Sequence, residues 1–317
     1  LGAAIASGVT IASAGSTAAR SDRLIAFVAA ESAGELDAVD LSSLKIVRRI
    51  RVAAGPHNVA SSRDGRFVVV TSPPAGVVTI ISARTLRVLA VRRGFASPHD
   101  VEIDPTGRYV YITEERAGRL DVLDLARRRV LRRVAVGSGP HDLAVSPDGD
   151  SVWLTHGPGA AALTLVDVRT PTRPRVVARV AAGGAAHDIT FAPNGGRIFV
   201  TYWNAGFVGA LGATSRRLLF RVRVGTEVHH LALTPSGTST WATDNSASRL
   251  DILASSTGRL LRTAPAASNP HHVAILQARA VVALNGADSL GVYDLRGRML
   301  REISVGRGPH GVTLVSG

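Results

Sequence analysis

The sequence predicts an all-β chain folded as a seven-bladed β-propeller of four-stranded antiparallel blades, and three observations carry that reading. A unit headed by histidine returns seven times, at His57, His99, His141, His187, His229, His271 and His310. The steps between these histidines are 42, 42, 46, 42, 42 and 39 residues, and a period of this size with strand-like content is that of a propeller blade. Each unit holds short runs of Val, Leu, Ile and Ala broken by clusters of Pro, Asp, Asn and Gly, the pattern of strands joined by tight hairpins. Finally, three strand-like runs precede His57 and one follows Pro309. Together they complete one composite blade, closed by strand exchange between the N- and C-terminal segments, which removes an open sheet edge.

Taken in order, residues 1–20 form a leader and residues 21–317 the single propeller domain. Leu1 to Ala19 carry no charge and are rich in Ala, Gly, Ser and Ile. With small-residue cleavage sites at Ala12-Ser13-Ala14 or Thr17-Ala18-Ala19, they read as the tail of a truncated secretory signal, so a secreted or extracytoplasmic protein is expected. Strands follow at Leu24–Val28, Leu36–Asp40 and Lys45–Val52. The first full repeat places strands at His57–Val59, Phe67–Thr71, Val77–Ile81 and Leu86–Val91. In the next, Pro98–Ile103 runs into the turn Asp104-Pro105-Thr106-Gly107, then Tyr109–Thr113, Leu120–Asp124 and Val130–Val136. Ser146-Pro147-Asp148-Gly149, Pro193-Asn194-Gly195 and Pro235-Ser236-Gly237 occupy the same turn later on. The repeat opened by His141 has four extra residues, expected in loops near Gly157–Ala162 or Thr170–Pro174.

Composition narrows the chemistry. There is no cysteine, which excludes disulfides, thiolate metal sites and a cysteine nucleophile. Net charge is +13, and every basic residue but Lys45 is arginine. Arg48, Arg49, Arg51, Arg92, Arg93, Arg127, Arg128, Arg129, Arg132, Arg133, Arg221 and Arg223 fall on or beside outer strands, a face that could meet an anionic surface. Aromatic residues do not interleave with them as base-stacking platforms would, so no specific nucleic acid is expected. No run long and apolar enough to span a membrane is seen, and a monomer is expected. No Ser-His-Asp arrangement, phosphate-binding glycine loop or nucleotide fingerprint appears at convincing spacing.

The pattern in which Pro-x-x-Val-Ala-Val-Ser-Pro-Asp-Gly is followed by a strand ending in Thr and then by Val-x-Asp resembles the YVTN-type seven-bladed propeller repeats, and covers nearly everything after residue 20. The resemblance implies the fold strongly and the activity weakly, since such relatives include lactonase-like enzymes, lyases and ligand binders. Pro309-His310-Gly311-Val312-Thr313 and Tyr111-Ile112-Thr113-Glu114 are also similar to motifs of the streptogramin B lyases. That similarity implies His310 as a base and Glu114 as its metal or acid partner in a metal-assisted lyase or lactonase-like enzyme.

In a propeller the first strand of each blade lines the axis, so residues at its start share one mouth of the central channel. The seven leading histidines should therefore converge there. Like charge and burial depress histidine pKa, and neutral imidazole is the form that ligates metal. The ring is expected to bind a divalent transition metal (Cu, Zn, Fe or Mn) or a small ligand. Residues at the end of the second strand return to the same mouth and form an expected rim: Glu114, Glu115, His156, Tyr202, Trp203 and Asp244, with Glu31 and Asn285 as looser matches. Asp100, Asp142 and Asp188 follow their histidines directly, and strand alternation would point them elsewhere as hydrogen-bonding groups. His230 and His272 take the same position and are read as structural. The alternative is a non-catalytic secreted scaffold whose histidines are all structural.

Overall fold

The computed structural model describes residues 23–157 and 159–316; the leader expected at 1–20 lies outside them. Seven four-stranded antiparallel sheets make up the described residues. Blade 1 is the composite one: Pro309–Ser316 pairs with Leu24–Ala30, which pairs with Glu35–Asp40 and then Lys45–Arg51. Its closing register runs from Leu24↔Ser316 to Val28↔Val312. The other blades follow in order, blade 3 for example as Pro98–Ile103, Tyr109–Glu114, Arg119–Asp124 and Arg129–Ala135. The first strands of successive blades touch one another and enclose the axis.

Seven apolar cores lie between the blades rather than within them. Phe27, Leu36 and Ile50 of blade 1 pack on Val68, Val70 and Ile81 of blade 2, and Tyr111, Leu120 and Val122 of blade 3 pack on Val152, Leu154 and Val166 of blade 4. Second and third strands are covered on both faces, which is why they read as near-continuous apolar runs. Fourth strands are half-exposed and carry the arginines. Some of these pair with aspartates of the third strand: Arg133 Nε lies 3.1 Å from Asp121, Arg49 Nε 3.7 Å from Asp37 and Arg175 3.0 Å from Asp167, while Arg119 and Arg249, on third strands themselves, lie 3.1 Å from Asp121 and 2.9 Å from Asp251. Part of the positive outer face is thus neutralised from within.

Three local expectations change. Leu86 does not begin an outer strand but sits in the preceding turn with φ of +54°, and the strand spans Arg87–Arg93. His57 and His187 lie ahead of regular ladders that begin at Val59 and Ile189. The main chain there is bonded, His57 N to Thr71 O at 2.8 Å and His187 N to Thr201 O at 2.9 Å, but it is bent away from ladder geometry. The extra length of blade 4 is split: one residue in the loop 157–161 and three in the loop 168–174, measured against the equivalent loops 115–118 and 125–128 of blade 3.

Candidate metal centre

The site is built on a bulge that recurs from blade to blade. Pro98 pairs with Glu114 and Val101 with Ile112, so His99 and Asp100 together oppose Thr113. The same slip follows Pro140, Val228 and Pro270. An extra residue breaks strand alternation and re-aims side chains. In five blades the residue after the histidine therefore also turns towards the axis: Asn58, Asp100, Asp188, His230 and His272 line an axial cavity of about 290 Å³, while Asp142 turns to the histidines themselves. The expectation that alternation carries Asp100, Asp142 and Asp188 elsewhere is corrected here. Asp100 and Asp188 do act as hydrogen-bonding groups, accepting from Leu143 N at 2.9 Å and Leu231 N at 2.6 Å in the next blade.

In blades 2 to 6 a threonine locks this bend. Thr113 Oγ1 accepts from Asp100 N at 2.9 Å and donates to His141 O of the next blade at 2.6 Å. Thr71, Thr201 and Thr243 make the same pair of bonds, their donations reaching His99 O, His229 O and His271 O at 2.8, 2.8 and 2.7 Å. Ring and fold are therefore held by the same threonines.

The imidazoles form a closed circle. Centroid separations, taken in turn from His57 through His99, His141, His187, His229, His271 and His310 back to His57, are 4.6, 3.9, 4.6, 4.5, 3.9, 4.0 and 3.6 Å. His57 Nε2 and His99 Nε2 are 3.1 Å apart. The Nδ1 atoms of His99, His141, His187, His229, His271 and His310 are buried without a hydrogen-bond partner. Below the circle, His272 lies 4.9 Å from His310 and stacks 3.9 Å from His230.

Electrostatics keeps most of these rings neutral. Burial, reinforced by neighbouring imidazoles, holds His229, His272 and His310 well below the ordinary histidine range and His271 at about 3. Burial lowers His187 to about 4 against the pull of Asp142, and lowers His230 to about 4. His141 runs the other way: burial opposes its charge, but the Asp142 carboxylate at 3.2 Å outweighs it and raises the pKa. Asp142 also lies 3.5 Å from His99 Nδ1 and 3.7 Å from His187 Nδ1, close enough for charge attraction yet short of hydrogen-bond alignment. Burial would raise Asp142, but His141 and its neighbours drive it well below the usual carboxylate range.

Three groups of donors lie with their ligand atoms within 4.8 Å of one another: His229/His271/His272, Glu31/His57/His310 and His99/His141/Asp142. Two metal–nitrogen bonds of about 2.1 Å span at most about 4.2 Å, so small side-chain rotations would seat an ion in any of them. Neutral imidazole with one carboxylate suits Zn, Cu, Fe or Mn.

The rim residues divide. Glu31 Oε1 reaches His57 Nδ1 at 3.4 Å, Glu115 is half-buried and its charge is felt by His141, and Trp203 packs 5.1 Å from His187 and 5.3 Å from His229. The rest serve the scaffold. Glu114 is fully buried, accepts from Ala96 N at 2.7 Å and Ser97 N at 2.9 Å, and pairs with Arg119 at 2.8 Å. Both its oxygens are engaged, which corrects the expectation of an acid or metal partner for His310. Asp244 does the same for Thr226 N and Glu227 N at 2.9 and 3.1 Å. Tyr202 donates to Ala182 O, Asn285 to Pro309 O, and His156 bonds Ser138 O at 2.8 Å and Thr164 Oγ1 at 2.6 Å. Except for the Asn285–Pro309 bond, which reaches the next blade, the end of the second strand pins the loop arriving from the previous blade, as Asn285 also does in accepting from Asn269 Nδ2 at 3.3 Å; a residue-type pattern does not reveal that need. Asp142 and the channel-lining Glu102 were the residues sequence reasoning missed, and the Pro-His-x-x spacing that makes the bulge was the available signal.

Comparison with known proteins follows the architecture. The cytochrome D1 heme domain family matches residues 3–101 and the arylesterase family residues 66–229. No curated protein matches the sequence significantly. Among solved structures, a functionally unknown protein from Desulfotomaculum acetoxidans superposes with a TM-score of 0.82 at 16% identity, covering 92% of this chain and 98% of that one. Apo AztD from Citrobacter koseri gives 0.73 at 14%, covering 93% and 99%. Dihydro-heme d1 dehydrogenase NirN in complex with DHE gives 0.66 at 14%, covering 88% and 63%. At these identities the likeness is one of fold. Among the described residues no helix is long and apolar enough to cross a membrane.

Proposed function

The chain belongs to the arylesterase family, whose model matches residues 66–229, and on that premise we propose that its histidine circle binds a divalent transition metal (Cu, Zn, Fe or Mn). One observation carries the reading: seven imidazoles close a circle with neighbours 3.6 to 4.6 Å apart, six of them with a buried Nδ1 that makes no hydrogen bond, three of these facing the single carboxylate of Asp142. Burying unpaired polar atoms costs free energy, and a structural role would have given each ring its own backbone partner. A bound ion offsets that cost by using the donors together. The uncharged residues 1–19 support export and so an extracytoplasmic site.

The test is elemental analysis of untagged protein. About one ion or more per chain is expected, removable by chelation and restored by Cu or Zn. Outer-shell partners alone are worth roughly 10–100-fold in metal affinity, so His229→Ala combined with His271→Ala should weaken uptake at least that much. Metal-free protein that also takes up no Cu, Zn, Fe or Mn overturns the reading.

Family membership favours a second reading, metal-assisted hydrolysis of an aryl ester or lactone, or a lyase reaction at the same site. The ion would supply Lewis acidity toward a carbonyl. His310, neutral at pH 7 and unpartnered at Nδ1, is the base in this reading, without Glu114. Lack of turnover of phenyl acetate and a lactone panel by the loaded protein would remove it while leaving metal binding intact.

A further inference from the structure

Duplication accounts for what recurs in every blade and leaves unexplained the place where blades diverge. That place is the junction of blades 4 and 5. The loop 157–161 is one residue longer than its counterpart in blade 3, and Ala186 precedes the histidine where five blades have a proline and blade 6 has Val228. After the second strand of blade 5, a short 3-10 turn at Trp203–Ala205 lays an indole against the ring. These departures open a cavity of about 270 Å³ with His141 and His187 in one wall and Tyr202, Trp203 and Arg221 in the others.

The chemistry of the walls is specific. Trp203 offers a flat apolar surface, and its Nε1 is buried with no partner. The Arg221 guanidinium is held 4.7 Å over the Tyr202 ring and 4.3 Å over Phe207, with one N–H bonded to Gly183 O at 3.0 Å. Cation–π packing of this kind fixes a guanidinium and leaves its other donors free. The lining contains no Asp or Glu. Among the described residues no carboxylate lies within ion-pair distance of Arg221, as is true of most of the outer arginines, so its charge is free for a ligand.

We propose that this cavity is a binding site for a small organic carboxylate with a flat apolar body, the carboxylate taken by Arg221 and the body laid on Trp203. A volume of about 270 Å³ is at the small end of ligand pockets and sets the class at one or two fused rings. The site shares a wall with the histidine circle but does not require an ion there, so it extends the metal reading without resting on it.

The experiment titrates chelator-treated full-length protein with 2-naphthoate and, separately, with the uncharged 2-naphthamide, following heat and tryptophan fluorescence. Naphthoate is expected to bind and the amide to bind on the order of tenfold more weakly or worse, the scale of one lost charged hydrogen bond. Arg221→Gln should remove that preference, and Trp203→Phe should weaken both ligands, with melting temperatures checked for each variant. Copper or zinc uptake should match wild type in Arg221→Gln. Equal affinity for acid and amide, no binding of either, or a preference that survives Arg221→Gln in folded protein overturns the site. Naphthoate binding in a protein that takes up no metal would sink the circle's assignment and leave this one standing.

Discussion

Glu102 shows what the axial channel asks of a single side chain. It lines the cavity below the histidines, accepts from Val145 N at 2.8 Å, and burial pushes its pKa up to about 7. A carboxyl with a folded pKa above its unfolded value of about 4.5 costs stability as pH rises between the two. Glu102→Gln keeps the acceptor without the charge. Its melting temperature should match wild type near pH 4.5, rise above it through pH 7 and stay higher at pH 8, a gain on the order of 2 kcal/mol; equal melts at pH 8 would refute the cause. Asp142→Asn makes the complementary case. Burial opposes the charge of His141 and that carboxylate is the largest influence raising its pKa, ahead of Glu115 and Asp188, so in the variant its imidazole resonances should titrate at lower pH than in wild type. The seven histidines were legible because duplication preserved them at one position. Asp142 and Glu114 were not, because their roles depend on which backbone groups the neighbouring loops bring to them.

Among elements, the bulge and its threonine matter most. Thr113 satisfies Asp100 N in its own blade and His141 O in the next. Thr113→Val keeps the shape and leaves both groups without a partner, so urea unfolding should show a loss of about 2–3 kcal/mol, while Thr113→Ser should recover most of it. Blades 1 and 7 have Ala29 and Ala283 at this position, and at the closing seam Gly311 N bonds His57 O at 2.9 Å instead. Strand positions could be read from apolar runs and turn residues to within a residue or two. The bulge could not, since a two-residue period assumes that alternation continues through Pro-His-Asp. The wrong direction for Asp142 came from that assumption.

At the scale of the molecule, seven blades and their composite closure followed from counting periods, because a fixed period leaves little freedom in how many units close a circle. The cavity between blades 4 and 5 did not follow from the count: a pattern built on repetition registers an added residue in a loop, not the space it opens. Closure itself is testable. Pro309–Ser316 supplies both the innermost strand of blade 1 and His310, so a chain ending at residue 308 should lose its cooperative melt and run as aggregate in size exclusion. A peptide of residues 309–316 supplied in trans should restore monomeric protein by strand addition. Recovery of a well-folded truncated chain without the peptide would mean that the seam contributes little. The pairing of Leu24 with Ser316 has one more consequence. A short linker could join those two residues, and the polypeptide could then be reopened at a surface hairpin such as Asp148-Gly149, a circular permutant with the same toroid and its breakpoint carried around the circumference.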